Sequence, residues 1–434
     1  MLANYGFAND AESACRSKGM PGVRVVSTRV PCESTVSEDI EAGIDGSWDD
    51  IINALTKPLT NEEKNPVAEK KEKPARIIFE GNLEEVNRFF YRRGWTDGLP
   101  IIPPTEEAIQ EMLTGTDLPA DYLLGKLQSR LGKATVEKIA INAVMAGALP
   151  TYMPVLIAGT INLLESEQGF NGFTTYGFST GSWSPFWVIS GPIRNQLNIN
   201  NSSGAFSPGN IANATIGRAM GLIIKNIGGV RKGIEDMGVM GNPMKYTMVI
   251  AENEEESPWE PLHVEYGLKK EDSAISLNFP HVYIQHYPGG SDAESILKSV
   301  IDNFTRGMRY TIVFNPQTAK NIAREGFTKE KIKKYITERK LVPAVQPKNQ
   351  LGYRGMPGDS KSPSLQDKPE MVPLIKDYRV IRIIVGGGPG AFVAHLIGGG
   401  ATPGKKEIQK IDLPKNWEKL VDKYKNIVPV YAKY

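Results

Sequence analysis

Hydrophobic and polar positions alternate with clear local periods along this chain. Residues 1–55 read as helix, strand, helix. Asp10 to Lys18 has the composition of a short helix, capped at Asn9 or Asp10 and stopped at Gly19-Met20-Pro21. GVRVVSTRV at 22–30 is rich in β-branched residues and predicts a strand. Trp48, Ile51, Ile52 and Leu55 recur at helical spacing. One strand between two helices is an incomplete α/β piece of Rossmann or thioredoxin type. Either it packs on the rest of the chain or another polypeptide completes it.

Residues 56–75 are polar, charged and proline-bearing, and predict a linker. The region 76–241 is helix-rich. EEVNRFFYRRG at 84–94 is amphipathic, and Thr105 with Glu106 and Glu107 opens a second helix. Residues 134–148 and 151–166 predict a buried helical pair joined at Pro150, and 210–228 a third long helix. Between them, 169–209 is rich in Gly, Ser, Thr and Asn, with a short strand at 186–191. From 242 to 434 strands and helices alternate, with strands at 246–252, 281–287, 309–315 and 378–386. The fold class expected is α/β, with α+β as the alternative, in three parts: 1–55, 76–241 and 242–434.

Composition narrows the function classes. With 40% hydrophobic and 23% charged residues, the 434-residue chain can bury a core, which excludes wholesale disorder. A formal net charge of +2 supplies no general attraction to nucleic acid or membrane surface. Two cysteines, Cys15 and Cys32, exclude a disulfide framework and a four-cysteine zinc site. No segment has signal-peptide or membrane-spanning character, so a cytoplasmic location is the expectation.

Four constellations carry candidate chemistry. Cys15 falls early in the predicted helix with Arg16 and Lys18 nearby, where helix field and cations favour thiolate. Glu12, three residues earlier, is a proton relay or an opposing charge. The second is NINNSSGAFSPGN at 198–210. Ser207-Pro208 predicts a capped helix start, an anion site to which Asn200, Asn201, Ser202 and Ser203 add donors and Arg194 a clamp. Trp183 and Trp187 would form the apolar side of that pocket.

The third is ENEEESPWEPLH at 252–263, following a strand. Glu252 and His263 suit acid–base work or a divalent metal, against the usual meaning of such a run as a solvated loop. No metal site is assigned. The fourth is IIVGGGPGAFVAHLIGGG at 383–400, a G-x-G-x-x-A pattern followed by a short helix at 391–397. No second strand ending in an acid follows. This predicts a glycine loop approached closely by a ligand or another backbone, and names no cofactor. The basic run at 320–340, interleaved with glutamates, predicts a solvated helical surface.

WTDGLPIIPPTEEAI at 95–109 and GKATVEKIAINAVMAGALPTYMPVLIAG at 132–159 resemble the long C-terminal region of UGSC-type (seleno)proteins. The resemblance covers most of the chain from about Arg76. Members of that family pair this region with a small α/β domain bearing a selenocysteine- or cysteine-containing motif. NDAESAC at 9–15 stands in the corresponding place with different spacing, and Ser13 and Cys15 are the positions that carry over. The resemblance implies a class and no substrate.

The expected function is a cytoplasmic metabolic enzyme: a thiol-dependent oxidoreductase acting on a small anionic metabolite within an oligomeric complex. The alternatives are a lyase or hydrolase using Glu/His acid–base chemistry, and a noncatalytic subunit completing a partner's domain.

Overall fold

A computed structural model describes the chain except residues 18, 32–35, 65–74, 167–179, 305–308, 344–370, 391–393, 401–406 and 428–434. Cys32 lies outside the described residues. The chain is α/β. It divides into two units, Met1–Ile78 with Val342–Val372, and Phe79–Leu341 with Pro373–Tyr434.

The first unit opens with β1 (Leu2–Asn4), then α1 (Ala8–Ser17) and β2 (Val26–Thr28). β2 pairs in parallel with β1, Leu2 opposite Val26, which makes a small βαβ arrangement. The nine-residue strand expected at 22–30 is therefore three residues long. Its partner comes from its own chain. A three-residue strand shows too few positions for a period of two to be legible. Asn4 provides the cap of the turn leading into α1, its side chain accepting from the Gly6 N–H. Two helices follow, α2 (Ser37–Asp45) and α3 (Trp48–Thr56). The apolar stripe of α3 is largely in solvent, with Leu55 77% exposed.

The expected linker does not begin at residue 56. Asn61–Lys64 forms a helical turn, α4, and Glu63 accepts from Arg24 Nε and Nη2, both at 2.7 Å. Arg24 also donates to the carbonyls of Ala54, Lys57 and Pro58. These bonds tie residues 57–64 to the first unit.

In the second unit, α5 (Leu83–Arg93) starts at a capping box of Asn82 and Glu85 and ends at Gly94 in the left-handed region. α6 (Glu106–Leu113) starts at Thr105, as its sequence predicts. A hairpin of β3 (Leu123–Leu127) and β4 (Gly132–Thr135), unexpected from the pattern, leads into α7 (Val136–Ala146) and α8 (Met153–Ser166). Then come β5 (Phe186–Ser190), α9 (Ile193–Gln196), α10 (Ile211–Asn226), β6 (Val249–Ala251), α11 (Leu262–Glu265) and β7 (Ala274–Asn278). They are followed by β8 (Val282–His286), α12 (Ala293–Asp302), β9 (Arg309–Phe314), α13 (Pro316–Arg324) and α14 (Lys329–Arg339). The unit closes with β10 (Ile381–Val385), β11 (Ala394–Gly400), β12 (Ile408–Lys410) and α15 (Trp417–Tyr424).

Two four-stranded sheets result, ordered β12-β7-β5-β6 and β10-β9-β11-β8. In the first, β5 and β6 are parallel while β7 runs against β5 and β12. In the second, β9 and β10 are parallel, and β11 runs antiparallel to both β9 and β8. The first sheet joins residues from either side of position 241. The boundary expected between 241 and 242 is therefore absent, because β5 finds its partners in β6 and β7.

Strand alternation builds the layers. Trp187, Ile189, Ile275 and Leu277 face the helices α7, α8 and α10. Tyr310, Ile312, Ile381 and Ile383 face α12, α13 and α14. The intervening residues Phe186, Val188, Ile250, Val313, Ile384 and Ile397 form a third core, between the sheets. The order is helices, sheet, sheet, helices.

The helix expected at 391–397 is instead the strand β11, from Ala394. It lies inside its sheet, with Leu396 in one core and Ile397 in another. A strand buried on both faces is apolar without alternation, so the pattern does not separate it from a buried helix. Gly398 is required there, since a Cβ would sit 1.9 Å from the Tyr310 ring.

Candidate functional site

A cavity of about 420 Å³ opens at the carboxyl ends of β6, β9 and β10. Its walls are the turn Ser202–Ser207, Ile250, Tyr283 and Gln285 of β8, Val313, Asn315 and the loop Gly386–Gly390. Ligands of open α/β sheets bind outside the carboxyl ends of strands.

Asparagine side chains hold the serine turn. Asn213 accepts from the Asn200 N–H at 2.8 Å and donates to the Asn200 and Val249 carbonyls. Asn200 donates to the Ser203 carbonyl and to Asn210 Oδ1, and Asn210 donates to the Gly204 and Ser207 carbonyls. This web presents Ser202, Ser203 and Ser207 to the cavity. Asn200 and Asn201 are buried, so they shape the wall and do not line it.

Helix α10 begins at Ile211, with Asn210 before it. Ser207 is not its cap, and the helix-start anion site expected there does not form. The asparagine web captures the backbone of 202–207 as a turn before the helix begins.

The glycine loop forms the facing wall. Gly386 donates to the Phe314 carbonyl, and Gly387, at φ +92°, donates to the Asn201 carbonyl. A Cβ on Gly388 would lie 1.7 Å from Ser203 Oγ. The glycines allow two backbones to meet at this seam. Among the described residues, the N–H groups of Ser203, Gly204 and Gly388 donate to no protein acceptor. At the rim, Asn315 caps α13, accepting from the Thr318 N–H at 2.8 Å. Tyr283 is the titratable side chain of the lining, and burial raises its pKa. The described lining is thus neutral, with hydroxyls and N–H groups on one side and aromatic and aliphatic carbon on the other.

Arg194 is not in this cavity. Its buried guanidinium donates to the Gly191 carbonyl at 2.8 Å and to Glu255 at 3.2 Å, and its Nε lies 2.9 Å from Glu254. Burial works against ionisation of Glu255, but the bonds from Arg194 and Asn195 prevail and hold its pKa at about 2. A guanidinium so committed cannot clamp a ligand. Trp183 packs edge-on against His281 at 4.5 Å, and Trp187 is enclosed in the helix-side core. Neither lines the cavity.

Glu252 and His263 are both enclosed. Glu252 accepts from the Ser190 hydroxyl at 3.0 Å and the Leu262 N–H at 2.8 Å, and lies 3.7 Å from Lys329 Nζ. Burial raises its pKa, with Lys329 opposing. His263 Nδ1 lies 3.9 Å from Glu254, not beside Glu252. These groups form an internal electrostatic frame. Lys329 and Lys333 belong to it through Glu265, so the expected solvated basic face is partly buried.

In the first unit, Cys15 is 3% exposed and lies in the last turn of α1, which runs from Ala8 to Ser17. The thiol is enclosed, not presented to solvent. Glu12 pairs with Arg16 at 4.0 Å on the exposed face and makes no relay to the thiol. Sequence reasoning missed Tyr283, Gln285 and Asn315. The Asn-Pro step after a strand was a legible helix-start signal for Asn315; the other two became lining only because β8 lies beside the Ser202–Ser207 turn.

Among the described residues, no group of three His, Cys, Asp or Glu side chains is placed to hold a metal ion. No helix among them is long and apolar enough to cross a membrane. No family model, curated protein or solved structure matches this chain.

Proposed function

We propose that this protein is a cytoplasmic enzyme of small-molecule metabolism that takes a compact, polar, anion-bearing metabolite in the cavity of the second unit. The observation that carries this reading is the pairing of the Ser202–Ser207 turn with the Gly386–Gly390 loop around 420 Å³ at the strand ends. Hydroxyls and uncommitted N–H groups satisfy carboxylate or phosphate oxygens without a buried cation, while Phe206, Ile250 and Tyr283 take the carbon skeleton. The thiol-dependent oxidoreductase reading, and with it the likeness to UGSC-type proteins, has Cys15 as its chemical support and ranks second. Among the described residues, the lyase or hydrolase reading has no Glu or His facing the cavity. A second polypeptide on the first unit remains part of the proposal, supported by the exposed stripe Trp48, Ile52 and Leu55 on α3.

The test is a melting screen of the full chain with small carboxylated and phosphorylated metabolites. A ligand at a hundred times its Kd stabilises by about 2.7 kcal/mol. Gly388→Val should abolish that response, since its side chain displaces Ser203. A response to a carboxylated metabolite, or to a phosphorylated one beyond that of inorganic phosphate, that survives in Gly388→Val refutes the cavity as the site, as does no response across the screen.

A further inference from the structure

Two arginines are buried at the opposite, amino ends of β9 and β10. Arg309 is 6% exposed and Arg382 1%. Both stand on the inter-sheet face of their strands, at alternate positions with Val313 and Ile384. Arg382 reaches the other sheet, its Nη1 donating to the Leu277 carbonyl at 3.3 Å.

They share one carboxylate. Glu407 lies 2.6 Å from Arg309 Nη2 and 3.2 Å from Arg382 Nη2, and accepts from the Tyr266 hydroxyl. Burial opposes ionisation of Glu407, yet Arg382 and Arg309 hold its pKa below the usual carboxylate range. Two guanidinium groups against one carboxylate leave an excess positive charge. Burial lowers the pKa of Arg309, and repulsion by Arg382 adds to it. The acid nearest in sequence to Arg382, Asp377, is engaged by Arg379 through both its oxygens.

The donors are also in excess. Arg309 Nε and Nη1 and Arg382 Nε have no hydrogen-bond partner among the described residues. Nor do Thr311 Oγ1 on β9 and Ser276 Oγ and Asn278 Nδ2 on β7, all of them buried. A buried cation without its full complement of acceptors is strongly destabilising, and a structural arginine ordinarily brings matching carboxylates.

We propose that Arg309 and Arg382, with Tyr266 at the entrance, bind a small oxyanion of the phosphate type beside Glu407. The guanidinium forks match its oxygens, and a dianion reverses the local charge excess. Tyr266 is 38% exposed, so the site is reached from solvent on that side. Glu407 competes for the same donors and repels the guest. This site is independent of the cavity, at the other end of the same strands.

The test titrates inorganic phosphate into the full chain at constant ionic strength, with chloride as the control, and follows melting temperature. Saturable stabilisation by phosphate beyond that of chloride is expected. Arg309→Gln should weaken it about tenfold or more, the worth of one charge-assisted hydrogen bond. Glu407→Gln keeps both arginines and should tighten phosphate binding. Gly388→Val, which blocks the cavity, should leave the phosphate response intact. The proposal is overturned if phosphate acts no differently from chloride, or if Gly388→Val abolishes the response. Should Arg309→Gln fail to fold, Glu407→Gln decides, and unchanged or weaker phosphate binding there overturns the proposal.

Discussion

Arg194 shows how a residue's neighbours decide its role. Its sequence context, among asparagines and serines, reads as a ligand clamp, but the glutamates of 254–255 surround it. Arg194→Ala would strand those carboxylates and the carbonyls it serves. Breaking a fully buried ion pair from one side costs about 3–5 kcal/mol. Glu255 is 49% exposed, and water takes up part of that loss. The urea midpoint should therefore fall by less than that figure implies, while metabolite response in the surviving folded fraction persists. The pH dependence has a definite sign. Glu255 has a folded pKa of about 2 against an ordinary 4.5. Its contribution is therefore complete above about pH 4.5 and is lost as pH falls toward about 2. The stability gap between wild type and Arg194→Ala should narrow over that interval. A gap constant from pH 5 to pH 2.5 would show that the Glu255 pair adds nothing.

At the scale of elements, the placement of α1 decides the exposure of Cys15. Because α1 ends at Ser17, the thiol falls in its last turn, where it is buried. Iodoacetamide should therefore modify Cys15 far more slowly in the native protein than in urea, because the thiol is enclosed. Rapid native labelling near neutral pH would restore the thiol-dependent reading. The same dependence on element boundaries governs the serine turn, where Asn210 rather than Ser207 precedes α10, and the strand β11, which replaces a helix. Periodicity located most elements correctly. It missed β1 and β12, which are very short, β7 and β11, which are buried on both faces, and the partly exposed hairpin of β3 and β4.

For the whole molecule, the layering of helices, sheet, sheet and helices generates both ends of the second unit. The carboxyl ends of β9 and β10 open onto the cavity and their amino ends hold the arginine pair. The first unit is a small βαβ piece whose β2 has a partner within its own chain. Its exposed Trp48, Ile52 and Leu55 predict self-association or a second chain. Sedimentation of the wild type should then show a species larger than the 47.7 kDa chain, and Leu55→Glu should shift it toward monomer. A wild-type monomer at micromolar concentration, purified without a second chain, would remove the shared-domain idea.

Local chemistry was readable in the sequence because it depends on near neighbours. Capping at Asn82 and Thr105, the helical pair after 134, the strands at 186 and 309 and the close approach at the glycine loop all follow from residue type and spacing. The α/β class followed from their alternation. Only the tertiary structure decided which side chains face one another. It placed β5 beside β6 and β7 across the expected boundary, surrounded Arg194 with carboxylates, separated Glu252 from His263, and set Tyr283 against Phe206. It also brought together Arg309, Arg382 and Glu407, which are up to 98 positions apart and carry no shared motif. The physical reason is that a strand's period tells which residues share a face, while strand order and sheet packing, set by the sum of buried contacts, determine what that face meets.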